Sequence, residues 1–78
     1  MKIVNKTIKV LAIFYTDGKI EPISFVFDDR IVKIDKVMSS SIENFVGNTR
    51  IIFVCLKGDL IFEIKYEVAS NLWYLFKK

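Results

Sequence analysis

The chain contains no histidine, a single cysteine, one proline and three glycines. Without histidine there is no Ser-His-Asp or Cys-His constellation and no imidazole metal ligand. One cysteine excludes an intrachain disulfide framework. Three isolated glycines leave no glycine-rich phosphate-binding loop, and the carboxylates are too scattered for a hard-metal cage. Alanine is nearly missing as well, with only Ala12 and Ala69, and no long segment repeats apolar residues at helical spacing. The longest early apolar run, Val10 to Tyr15, is too short for a signal-peptide core or a membrane span, which sets a cytoplasmic, non-membrane expectation.

The residues that are present favour strands. The 78 residues hold 12 Ile, 8 Val, 3 Thr and 11 aromatics, the types that suit a pleated, half-buried surface. Hydrophobic residues make up 53% against 27% charged, with a net charge of +3 and a mean hydropathy of +0.37, so the chain is expected to fold as one domain over residues 1–78. Turn signals recur at Asp17-Gly18, Asp28-Asp29-Arg30, Gly58-Asp59 and Ser70-Asn71. Strands this closely spaced imply an antiparallel meander of hairpins.

Register ties the hairpins together, because side chains alternate between faces. A two-residue turn at Asp17-Gly18 sets Phe14 opposite Glu21, Ala12 opposite Ile23, Val10 opposite Phe25 and Ile8 opposite Phe27. A second turn at Asp29-Arg30 sets Phe27 opposite Val32 and Phe25 opposite Ile34. Both hairpins then send Ile8, Val10, Ala12, Ile23, Phe25, Phe27, Val32 and Ile34 to one interior. Further on, Gly58-Asp59 pairs Cys55 with Phe62 and Phe53 with Ile64, and the strand from Leu60 to Val68 points its alternate residues inward. A sixth strand, Leu72–Lys77, returns with Trp73 and Leu75 inward. Ser39 to Thr49 is long for a hairpin loop, and Ser40-Ser41-Ile42-Glu43 matches a capping box, so one short helical turn is expected in 39–49, with Phe45 or Val46 plugging the core. The expected fold is all-β: a small six-stranded antiparallel meander barrel, SH3-like, with an OB-like barrel as the alternative.

The stretch Pro22-Ile23-Ser24-Phe25-Val26-Phe27-Asp28-Asp29-Arg30-Ile31-Val32-Lys33-Ile34-Asp35-Lys36-Val37 resembles small bacterial β-barrel (SH3-like) proteins of unknown function. In those a proline precedes alternating aromatics, a tight turn ends in Arg, and an alternating strand follows. Here Phe27 stands where Trp is common and Asp29 where Gly is common. The resemblance spans about a fifth of the chain; it implies a hairpin and carries no activity, cofactor or site.

Candidate chemistry is sparse. Asp28 and Asp29 are adjacent carboxylates, which turns recruit for backbone hydrogen bonds. Cys55 has no base and points into the expected core. The expectation is therefore a non-catalytic protein without cofactor or metal. The register leaves Leu11, Ile13 and Tyr15 on an outer face, together with Ile52, Val54, Leu56 and Ile61, enough apolar surface to expect self-association as a homodimer or docking of a protein partner. The alternative is weak binding of single-stranded nucleic acid through Arg30, Lys33, Lys36 and Arg50, beside an exposed aromatic such as Tyr15 or Tyr74. Nine interspersed acidic residues leave no dense basic stripe for it.

Overall fold

A computed structural model describes residues 2–78, which form seven β-strands and no helix. They are β1 (Ile3–Phe14), β2 (Ile20–Phe27), β3 (Arg30–Lys33), β4 (Lys36–Phe45), β5 (Asn48–Lys57), β6 (Leu60–Glu67) and β7 (Leu72–Lys77). All pair antiparallel in one sheet of order β3-β2-β1-β7-β6-β5-β4, curled into a half-barrel. The strands are thus seven rather than six, and the meander is broken. Two local runs, β1–β3 and β4–β7, are stitched together by β1 against β7, with Ile8 opposite Trp73.

The extra strand is β4, where the helical turn was expected. Ser40–Glu43 does not cap a helix; it pairs with β5, Ser41 opposite Ile52 and Glu43 opposite Arg50. The hairpin closes at Val46-Gly47, where φ is +49° and +80°, the two left-handed residues that a type I′ turn demands. Phe45 and Val46 face solvent, 48% and 84% exposed, and plug nothing.

The first two hairpins keep the expected interior but reach it by different turns. The β1–β2 loop has three residues, not two: the Tyr15 amide donates to the Lys19 carbonyl at 2.8 Å, and Gly18 takes φ +92°. That extra residue sets Phe14 opposite Ile20 and Ile13 opposite Glu21. A bulge then restores Val10 opposite Phe25, and Pro22, not Ile23, becomes the buried partner of Ala12. The β2–β3 turn is Asp28-Asp29, both at positive φ, so Phe27 faces Arg30 and Phe25 faces Val32. This differs by two residues from the expected pairing, which leaves every side chain on its own face. In β5–β6 the register is as expected, Cys55 opposite Phe62 and Phe53 opposite Ile64.

Four bulges, including Ile23, Met38 and Phe76 as extra residues, bend the sheet around its apolar side. The core is Phe25, Ile34, Phe53, Cys55, Phe62, Ile64, Tyr66, Trp73 and Leu75. Its aromatics meet edge-on, tilted or stacked, Phe25 with Phe62 at 5.1 Å, Tyr66 with Trp73 at 4.7 Å and Phe53 with Trp73 at 5.8 Å between centroids. Such pairs add about 0.5–1.5 kcal/mol beyond their buried area. The interior thins at the ends: Leu60 and Val68, expected inward, are 69% and 46% exposed.

Candidate functional site

The distinctive feature of the half-barrel is its open side. β3 is only four residues long, so it covers Ser24–Phe27 of β2 and leaves Ile20–Pro22 without a strand neighbour there among the described residues. Across the gap, β4 pairs with β5 alone. The two edges are tied at one point by the link between β3 and β4. The Ile34 amide donates to the Ile23 carbonyl at 2.9 Å, and the next amide, Asp35, donates to the Leu56 carbonyl at 2.9 Å. The Asp35 carboxylate also accepts from the Gly58 amide at 2.7 Å. Beside this tie a cleft of about 870 Å³ runs between Ile20 and Glu21 of β2 and the inner side of β4, with Ser40, Ile42 and Phe53 along it.

The exposed edge of β4 has little to deter another strand. From Ser39 to Asn44 it carries one charge, Glu43, and no proline. Glu43 is directed onto the outer face of the sheet, where both its oxygens meet Lys65 Nζ, at 3.3 and 3.2 Å. Lys65 is buried and lies 3.6 Å from the centre of the Phe76 ring. A desolvated ammonium is held there by a carboxylate and a π face together. Next to it, Arg50 Nε donates to Glu67 Oε2 at 2.8 Å, and its guanidinium packs 4.3 Å from Phe45 and 4.8 Å from Tyr74. Ser70 Oγ donates to the other Glu67 oxygen at 2.8 Å. The Ser70 and Arg50 hydrogen bonds hold the Glu67 carboxyl below its ordinary pKa. These pairs fasten β4 and β5 to the centre of the sheet.

The apolar residues singled out from the sequence fall into two groups. Ile52, Val54 and Leu56 form a half-buried outward row on β5, with Ile61 opposite Leu56 and 43% exposed. Leu11 and Ile13, 65% and 44% exposed, lie elsewhere, on the part of β1 that runs past its pairing with β7. Lys65, Tyr74 and Thr7 stand between the groups in register. Tyr15 donates its hydroxyl to Glu21 at 2.6 Å, a bond that raises the Tyr15 pKa. Of the basic set, Arg30 and Lys33 lie exposed on β3 and Lys36 at the start of β4, whereas Arg50 is engaged with Glu67.

Cys55 is fully buried, and burial pushes its thiol up to about 12, so it holds its proton at neutral pH. Among the described residues no group of three or more His, Cys, Asp or Glu side chains could hold a metal ion. No helix among them is long and apolar enough to cross a membrane. Sequence reasoning missed the β4 edge, whose local signal is Gly47, a residue that takes positive φ in a turn without steric cost. In comparisons with known proteins, no family model, curated protein or solved structure matches the chain.

Proposed function

We propose that the protein is a non-catalytic interaction module that self-associates by strand addition, β4 of one copy pairing antiparallel with β4 of a second. The observation that carries this reading is the ten-residue outer edge of β4, on which no strand pairs among the described residues. An antiparallel pair of identical strands is self-complementary about a two-fold axis. The segment suits such a pairing: Glu43 is taken up by Lys65, and antiparallel alignment carries Lys36 away from its own copy in the partner. Met38, Ile42, Phe45 and Val46 stand 49%, 76%, 48% and 84% exposed along the same hairpin. Their partial burial in a pair contributes on the order of 1 kcal/mol each. The edge is favoured over the outward row of Ile52, Val54 and Leu56 because that row is already half-buried.

Light scattering at micromolar concentration tests the proposal, with twice the 9.1 kDa chain mass as the expected result. Ile42→Lys places a charge on the exposed edge without touching the core, and it should return the protein to the monomer mass. A wild-type monomer at all accessible concentrations, or a dimer untouched by Ile42→Lys, overturns it.

A further inference from the structure

On the far side of the Ile34-Asp35 tie lies a second, smaller cavity of about 340 Å³, between the β2–β3 hairpin and the β5–β6 turn. Its walls are Phe25, Phe27, Val32, Phe62 and Leu75, so it opens straight into the core. The volume is at the small end of the range for ligand pockets, about 300–1,000 Å³. The rim is cationic. Lys57 and Lys78 line it, and among the described residues no Asp or Glu does. Lys78 Nζ, on the cavity lining, lies 4.5 Å from the centre of the Phe27 ring, and Lys6 Nζ, outside that lining, 5.4 Å from it, so two ammonium groups share one aromatic wall residue. Two carboxylates stand outside the lining: Asp28 touches Lys6 at 3.8 Å with both side chains more than half exposed, a pairing of little energy, and Asp35 is taken up by the Gly58 amide at 2.7 Å. An apolar interior beneath an excess of positive charge matches a molecule with the opposite arrangement.

We infer that this cavity binds a single-chain amphipathic anion, an aliphatic carboxylate of about ten carbons. The chain length follows from volume, since a methylene takes roughly the 30 Å³ of a water molecule. The tail packs against Phe25, Phe62 and Leu75, and the head group lies between Lys57 and Lys78. This site is separate from the β4 edge, so each stands or falls alone.

The test is a titration of isotope-labelled protein with decanoate, followed by amide chemical shifts. Saturable shifts centred on Phe27, Val32, Phe62 and Leu75 are expected, with decylammonium about tenfold weaker or more. Lys57→Glu, at an exposed strand end, should weaken decanoate about tenfold with the melting temperature unchanged, and Val32→Phe should fill the cavity and abolish binding. If Val32→Phe does not fold, Lys57→Glu decides. Equal binding of decylammonium, indifference to Lys57→Glu, shifts spread over the outer face, or no saturable shift each overturn the inference.

Discussion

The two edges of this sheet solve the same problem differently. β3 is short, and both of its ends carry a cation, Arg30 and Lys33, so little backbone is left open to another strand. β4 is ten residues long, its exposed middle is a run of serines, and its carboxylate is drawn away to Lys65. One edge is blunted and the other is open. The arm that ends in the open edge is also the one fastened by part-buried ion pairs; among the described residues the β1–β3 arm has the exposed Lys6–Asp28 ion pair and the exposed Tyr15–Glu21 hydrogen bond. A strand that offers its backbone to a partner needs its other side held firmly, and the Lys65 and Arg50 pairs supply that hold.

The largest expected effect empties the core behind the tie between the two arms, leaving its backbone hydrogen bonds in place. Ile34 is buried between them, and Ile34→Ala should cost about 3 kcal/mol as a shift in urea midpoint at constant slope. Lys65→Ala comes next, at about 2 kcal/mol, because it strands Glu43 and empties the face of Phe76. Lys65→Met keeps the packing but still strands Glu43, so it should recover only the part of the loss that comes from volume, and the two variants together separate charge from volume. The turns then sharpen the contrast. Val46 is β-branched at φ +49°, where Val46→Asn should gain about 1 kcal/mol in thermal or urea unfolding. Asp29→Gly should gain only about 0.3 kcal/mol, since Asp already tolerates its φ of +61°. The smallest effect is on pH dependence. The folded Glu67 carboxyl lies below its unfolded value, so its contribution is complete above the ordinary carboxylate range and fades as pH falls through the folded pKa. Ser70→Ala moves that carboxyl back toward its ordinary value, and the fall in urea midpoint on acidification should become shallower.

The same contrast explains what was legible in the sequence. Strands with strict alternation, such as β6, announce both their type and their inward residues, and Phe62, Ile64 and Tyr66 are buried as that alternation requires. The β1–β3 interior was legible even where the turns were not, because a shift of two residues preserves the face and a bulge absorbs a shift of one. β4 was not legible. Serines at successive positions erase the apolar period, and Ser40 to Glu43 satisfies a local capping pattern that the pairing with β5 overrides. The open side, with its cleft and its cationic cavity, depends on which strands become edges. That is set by β1 meeting β7, a pairing between distant parts of the chain that no local pattern encodes.

That meeting also sets the order in which the molecule assembles. Five of the six strand pairings join neighbours in sequence and close through short turns. Only Ile8 against Trp73 and its companions require residues from opposite ends of the sequence to find each other. Loop closure over such a span carries the largest entropic cost, so it follows formation of the two hairpin arms and governs the overall rate. Until it forms, the flanks of β1 and β7 are two more unpaired borders, and the refolding chain is at its most vulnerable to aggregation.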